Sequence, residues 1–359
     1  MRKGKGTVYV GLSGGVDSAV SAALLQKAGY TVVGVFIRIA LPGYPCPVAL
    51  DRQAAMRVAA HLRIPFREID LSVAYHKRVF EHTVSEFARG RTPNPDTLCN
   101  REIKFGVFYD WARAAGAQYV ATGHYARVQT SPDTKLYVSR DEHKDQSYFL
   151  WMVPQEHLLH TLFPVGALTK PEVRTLARSF GLPNAARKDS QGLCFLGDIS
   201  IQDMLQRELV LQKGSVLSEK GEVIGEHDGA SLYTLGQRHG FLLNPHTPHT
   251  TAQYVIAKDT AHNTITVSPQ QFPAHASKTV LTLLSTNWIG EVSDGSYLVR
   301  FRYRQPLIKA TLTKTPTGAI VELAQPHYVP VGQSLVMYRE DGVGLRCVGG
   351  GVIDTAQLQ

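Results

Sequence analysis

The segment Gly11-Leu12-Ser13-Gly14-Gly15-Val16-Asp17-Ser18 lies between an apolar run, Val8-Tyr9-Val10, and a helix-patterned stretch from Val16 to Ala28 that Gly29 closes. A Gly/Ser-rich turn leading from a strand into a helix aims several backbone N–H groups at one point. Adjacent glycines let that backbone approach an anion with no Cβ in the way. The helix dipole adds positive partial charge at the same place, and Ser13 and Ser18 supply hydroxyls. The turn therefore predicts a phosphate site in an α/β architecture. It is not a Walker loop, because the Gly-x-x-x-x-Gly-Lys-Ser/Thr spacing is absent and no loop lysine is placed for a terminal phosphate.

The pattern around it agrees. Thr31 to Ile37 reads as a buried parallel strand, Ala49 to Leu62 as a helix, Pro65 to Ile69 as a strand, Val73 to Ala88 and Ile103 to Ala115 as helices, and Tyr119 to Thr122 as a strand. Strands alternating with helices predict a doubly wound parallel sheet, which binds ligands at the carboxyl ends of its strands. Gly11, Ile37 and Gly123 fall there. Thr169-Lys170-Pro171-Glu172 reads as a capping box before a helix to Phe180. After residue 210 the chain turns Gly-rich and hairpin-like. Tyr297 to Tyr303, Lys309 to Thr313, Ala319 to Leu323, Gln333 to Tyr338 and Cys347 to Ile353 are short strands spaced for a small β-barrel. The expected division is a catalytic domain at 1–205, a central domain at 206–275 and a β-barrel domain at 276–359.

Composition narrows the class. Apolar residues at 43% and charged residues at 19% are those of a folded globular chain. No apolar run reaches a membrane-spanning length, and the basic Met1-Arg2-Lys3-Gly4-Lys5 leads straight into the first strand, so it does not read as a signal peptide. The expectation is a cytoplasmic protein with no membrane partner. A net charge of +8 suits a polyanionic partner. None of the four cysteines, Cys46, Cys99, Cys194 and Cys347, forms a Cys-x-x-Cys pair, so no metal site is expected.

Two cysteines lie in polar loops. Cys99 ends Arg91-Thr92-Pro93-Asn94-Pro95-Asp96-Thr97-Leu98-Cys99-Asn100, where two prolines hold an extended backbone and a helix start would favour the thiolate. Asp96, three positions earlier, could take or return a proton. Cys194 ends Lys188-Asp189-Ser190-Gln191-Gly192-Leu193-Cys194. Two thiols on two loops facing one site would permit persulfide or disulfide chemistry. Each alone is equally readable as a small buried apolar residue, which is the reading taken for Cys46 and Cys347.

The Ser13–Ser18 loop resembles the SGGxDS loop of N-type ATP pyrophosphatases, which cleave ATP between the α and β phosphates. Taken in order with the Gly90–Asn100 block, Ala121-Thr122-Gly123-His124-Tyr125, Lys144-Asp145-Gln146-Ser147-Tyr148-Phe149, Lys188–Phe195, Thr234-Leu235-Gly236-Gln237-Arg238 and Arg302-Tyr303-Arg304-Gln305, the chain is similar over nearly its whole length to the bacterial tRNA-specific 2-thiouridylases. The resemblance implies that ATP, with magnesium, adenylates the C2 oxygen of wobble uridine 34 in the tRNAs for Lys, Glu and Gln. A persulfide on Cys194 would deliver sulfur, supplied by a cysteine desulfurase or a sulfur-relay protein. Cys99 would be the nucleophile that completes transfer, and the two cysteines could form a disulfide.

The same resemblance assigns Gly11, Leu12, Ser13, Gly14, Gly15, Val16, Asp17, Ser18, Ile37 and Gly123 to ATP. It assigns Asn94, Pro95 and Asp96 to the flipped target base, and His124, Lys144, Asp145, Gln146, Arg302, Tyr303 and Gln333 to tRNA. Arg302 and Arg304 flanking Tyr303 on a barrel strand would offer charge with an interleaved aromatic. Ile37 stands where the family usually carries Met, Leu50-Asp51 replaces a paired Glu-Asp, and Phe241 to Gln253 lacks the usual Gly-rich and Trp pattern. Two other readings remain at this point: an adenylating pyrophosphatase with an amine nucleophile, which needs no cysteine pair, and a tRNA-binding module with an inactive nucleotide site.

Overall fold

The computed structural model describes residues 5–44, 48–188, 199–244, 251–270, 273 and 278–357. Cys46 and Cys194, with the segment 189–198, lie outside the described residues, as does 245–250 of the divergent central stretch.

The first part of the chain forms β1 (Thr7–Gly11), α1 (Val16–Lys27), β2 (Thr31–Arg38), α2 (Val48–Leu62), β3 (Phe66–Asp70), β4 (Tyr119–Ala121), a hairpin of β5 (Ala126–Gln129) and β6 (Lys135–Val138), and β7 (Thr161–Leu162). Five of these strands make a parallel sheet in the order β3-β2-β1-β4-β7. Alternate residues of its central strands feed two cores. Tyr9, Val33 and Val35 pack on one face, and Val8, Val10 and Val32 pack against Ala19, Val20 and Val58 on the other. The chain steps from β1 outward to β3, then crosses back to β4 on the opposite side. The order thus reverses beside β1, which opens a crevice at the carboxyl ends of β1 and β4.

The helices differ in detail from the sequence expectation. The stretch expected as one helix over 73–88 is Ser72–Tyr75, a wide π turn His76–Phe80, and Glu81–Ala88 in succession. The helix expected from Ile103 begins earlier, as Pro95–Cys99, and passes through a π-type segment Asn100–Val107 into Phe108–Ala114. Phe105 and Gly106 leave helical geometry there. A Cβ on Gly106 would stand 2.7 Å from the Arg101 carbonyl oxygen, so only glycine fits the kink.

The central part carries β8 (Gly214–Leu217), β9 (Val223–His227), β10 (Phe241–Leu243), β11 (Tyr254–Asp259) and β12 (Thr264–Ser268), ordered β10-β9-β8-β12-β11. The last part carries β13 (Lys278–Trp288), β14 (Gly295–Arg300), β15 (Ile308–Thr315), β16 (Gly318–His327), β17 (Ser334–Asp341) and β18 (Gly344–Gln357). These six run antiparallel in the order β13-β16-β15-β14-β17-β18, and β13 pairs with β18 to close the expected barrel. β13 was not among the expected strands. Ser285 takes φ +48° and the register with β18 shifts between Leu284 and Asn287, a bulge that breaks the two-residue alternation.

The β5–β6 hairpin leaves the parallel sheet and adds to the barrel, pairing Tyr137 with Arg346 and Leu136 with Cys347. Leu136 and Trp151 join Ile289, Val336, Tyr338 and Cys347 in one core. Burial pushes the Cys347 thiol up to about 12, as suits an inert core residue. Among the described residues, no helix is long and apolar enough to cross a membrane.

Candidate nucleotide and tRNA site

Gly15 caps the start of α1 and, as a glycine, gives no side-chain hydrogen bond to the first turn, which leaves helix N–H groups to be satisfied by something else. Ahead of it, Gly14 takes φ +78°, and its carbonyl accepts from Asn184 Nδ2 at 2.8 Å and Arg187 Nη1 at 3.3 Å. The Ser13 hydroxyl accepts from Gly15 N at 3.3 Å, and the Ser18 hydroxyl donates to Gly15 O at 3.1 Å. The turn is thus braced by its own side chains in an open arc. Gly123, after β4, packs directly on the helix start: a Cβ there would lie 2.7 Å from Ser18 N.

Over this arc lies a cavity of about 460 Å³. Gly11, Leu12, Ser13, Gly15, Val16, Asp17, Ser18, Ile37 and Gly123 line it, so the residues expected to meet ATP converge, all but Gly14, which is not in the lining. Phe36, Ile37 and Ile39 give it an apolar wall from β2 and the chain after it. Lys104, Lys144, Lys188 and Arg304 supply cations from four separate segments. The loop has no lysine of its own, and the fold brings cations to it from elsewhere.

Two carboxylates beside the loop are engaged. Asp17 receives Lys170 Nζ on both oxygens, at 2.7 and 2.8 Å, and Tyr125 Oη at 2.9 Å. Asp51 pairs with Arg187. Lys170 escaped the sequence reading. It occupies the first position of the helix Lys170–Ser179, where a cation opposes the dipole. That anomaly was the available signal, and Asp17 resolves it.

Among the residues expected to meet tRNA, His124, Lys144, Gln146 and Tyr303 also line the cavity. His124 is buried, with Nδ1 2.7 Å from Thr122 Oγ1. Burial, and then the nearby Lys104 ammonium, hold its imidazole well below the ordinary histidine range, so it is neutral. Gln146 Oε1 accepts from Tyr125 N at 2.9 Å. Asp145 lies beneath the surface. Its carboxylate accepts from Ser139 N, Ser147 N and Ser147 Oγ, and burial raises its pKa.

Asn94, Pro95, Asp96 and Cys99 sit beyond the cavity lining. Asn94 Oδ1 accepts from Thr97 N at 3.1 Å and caps the one-turn helix that Pro95 opens. Cys99 is the fifth residue of that helix, not its first, and is fully buried. The dipole argument for a thiolate does not carry to it. Asn100 Nδ2 donates to Phe149 O at 3.1 Å, and the Phe149 ring lies 4.6 Å from that of Tyr303, which joins this segment to the cavity wall.

Arg302, Tyr303 and Arg304 follow β14 in a turn, rather than on a barrel strand as expected; Arg304 takes φ +61°. Gln305 Oε1 holds the turn by accepting from Phe301 N and Arg302 N. Arg302 donates to Leu235 O of the central part at 2.8 Å. Gln333 Nε2 donates to Thr92 O at 2.9 Å.

With this geometry established, comparison with known proteins gives a consistent picture. Residues 6–198 match the family described as tRNA methyl transferase HUP domain, 202–269 the tRNA methyl transferase PRC-barrel domain, and 278–353 the aminomethyltransferase beta-barrel domain. The chain is 41% identical over 361 residues to the tRNA-specific 2-thiouridylase MnmA of Nitrosococcus oceani, covering 98% of this chain and 97% of that protein. It is 39% identical to the same-named protein of Enterococcus faecalis, covering 98% and 96%. Against that of Streptococcus sanguinis the identity is 38%, covering 97% and 95%.

Proposed function

The chain belongs to the tRNA-specific 2-thiouridylase family of sulfurtransferases, and from that premise we propose that it converts wobble uridine 34 of the tRNAs for Lys, Glu and Gln to 2-thiouridine in the cytoplasm, using ATP. The observation that carries this reading is the cavity over the Gly11–Ser18 arc, with its apolar β2 wall and cations from four segments. An uncapped helix N-terminus with converging ammonium groups stabilises phosphate charge. Because the loop's neighbouring carboxylates are already on Lys170, Tyr125 and Arg187, magnesium would enter on the phosphates of the nucleotide.

The uridine C2 oxygen attacks the α-phosphorus and pyrophosphate leaves, which converts a poor leaving group into adenylate. The terminal sulfur of a Cys194 persulfide then attacks C2 and AMP departs. Cys99 thiolate attacks Cys194 Sγ, the S–S bond to the transferred sulfur breaks, and 2-thiouridine and a Cys99–Cys194 disulfide result. An external dithiol reductant restores the thiols. Asp96 moves protons on the base, which Asn94 and Pro95 hold. Lys144, Arg302, Tyr303 and Gln333 contribute to holding tRNA.

Mass spectrometry of unmodified tRNA after incubation with ATP, magnesium and a persulfide source tests the reading, with pyrophosphate followed in parallel. Cys194→Ser should release pyrophosphate yet form no 2-thiouridine, and Cys99→Ser should accept persulfide and stall. Equal 2-thiouridine from Cys194→Ser overturns the mechanism. An amine-using adenylating enzyme would stay active with both cysteines replaced, and a tRNA-binding module with an inactive nucleotide site would release no pyrophosphate. Because Cys99 has no exposed surface, tRNA must open a path to it. Alkylation of Cys99 by iodoacetamide, read on its peptide, should rise when tRNA and ATP are added.

A further inference from the structure

Gly14 takes φ +78°, a region that glycine enters freely, so a peptide beside it turns over at little intrinsic cost. A trans peptide holds its C=O and N–H on opposite sides. The direction of the Gly14 carbonyl therefore decides where the Gly15 N–H points. Gly15 N donates to the Ser13 hydroxyl at 3.3 Å, and Ser13 and Gly15 both line the cavity whereas Gly14 does not. The N–H thus faces the cavity and the carbonyl faces away. Turned over, the same peptide would aim an oxygen at any phosphate seated there.

The carbonyl is held from far along the chain, by Asn184 Nδ2 at 2.8 Å and Arg187 Nη1 at 3.3 Å. Asn184 is 8% exposed, so its bond is made largely out of water, where it is costly to lose. Arg187 also pairs with Asp51. A Cβ on Gly14 would lie 2.6 Å from Asp51 O and 2.9 Å from Arg187 Nη1, so the glycine is enclosed between α2 and the clasp. The turn that carries the clasp is fixed in its own right. Arg187 N donates to Asn184 O at 2.9 Å, and Arg174 Nη1 donates to Arg187 O at 2.9 Å and Ala185 O at 3.3 Å. Arg174 belongs to the helix Lys170–Ser179, whose first residue holds Asp17. One helix thus steadies the phosphate arc at two points.

We propose that Asn184 and Arg187 are positioning residues for the phosphates of the nucleotide: by clasping the Gly14 carbonyl they hold the Gly14–Gly15 peptide with its N–H toward the cavity and its oxygen away. This rests on the reading of the Gly11–Ser18 arc as the ATP phosphate site. Neither side chain lines the cavity, so the effect is carried by the backbone. It acts on phosphate charge and leaves the apolar wall of Phe36, Ile37 and Ile39 as it is.

The experiment measures equilibrium binding of ATP with magnesium, and of adenosine, to the full chain without tRNA, so that no nucleotide is consumed. Among the described residues Asn184 Oδ1 has no hydrogen-bond partner, so the near-isosteric Asn184→Leu removes the bond to Gly14 O. It should weaken ATP about tenfold, the loss of one buried hydrogen bond. Adenosine, which meets only the apolar wall, should stay within about twofold. Equal loss of both ligands marks a merely structural role and overturns the proposal, and so does unchanged affinity for both. If Asn184→Leu does not fold, Arg187→Lys keeps a charge for Asp51 but not the guanidinium fork. It should lower the preference for ATP over adenosine about threefold, and an unchanged preference overturns the proposal. If the unaltered chain binds ATP no better than adenosine, the phosphate reading of the arc falls and the proposal with it. A preference that the unaltered chain shows and the variants keep leaves that reading standing and removes the proposal alone.

Discussion

Asp17 was legible because its loop is written in consecutive residues, whereas its partner Lys170 lies 153 residues away. Only folding brings the ammonium onto both carboxylate oxygens. Lys170→Ala should destabilise the chain by about 1–3 kcal/mol, the range for a charged hydrogen-bonded pair. It should also slow pyrophosphate release at least tenfold by leaving Asp17 unoriented, with tRNA retention on filters unchanged. Loss of tRNA retention equal to the loss of pyrophosphate release would refute that division. His124 gives a pH-dependent consequence. Its folded imidazole titrates well below the unfolded one, so its contribution is complete above the unfolded value and is lost as pH falls toward the folded value. Below about pH 6.5, stability should fall by up to ~1.4 kcal/mol per pH unit from this group. Urea unfolding of His124→Phe at pH 7 and pH 5.5 should show a smaller pH difference than the unaltered chain.

At the scale of elements, the strand-to-helix turn, the parallel strands and the capping box at Thr169 were readable, since each depends on neighbours in sequence. Glu172 Oε2 indeed accepts from Thr169 N at 2.7 Å. The unread features all depend on distant pairing or a local break in period: the bulged β13, the π segments, and the turn that carries Arg302 to Arg304. The junction of β4 with α1 shows how tightly two elements can meet. With Gly123→Ala, the new methyl would fall 2.7 Å from Ser18 N and 2.8 Å from the Asp17 carbonyl carbon. The helix start must shift, at a cost of about 1–3 kcal/mol for overpacking, and the phosphate arc moves with it. A variant that melts and binds ATP like the unaltered chain would show that the arc tolerates the displacement.

At the scale of the molecule, the excess of 38 Lys and Arg over 30 Asp and Glu suits a phosphate-rich partner, and its footprint should appear as salt dependence. Arg304→Ala should flatten the slope of log affinity for tRNA against log salt by about one unit. Arg302→Ala should also lower the melting temperature, because its guanidinium ties the barrel turn to Leu235 O. A slope unaltered by Arg304→Ala would move the RNA contact elsewhere. The β5–β6 hairpin has a consequence in time. Tyr137 donates to Asp341, 204 residues later, and β6 meets its β18 partner only after the barrel is made. At about 5–20 residues per second on the ribosome, that leaves the β6 edge uncovered for roughly 10–40 s of synthesis. During that interval the nascent first domain carries a ready template for mispairing. A chain stalled before β17 should therefore bind holdase chaperones through 126–138, and release should coincide with emergence of β18.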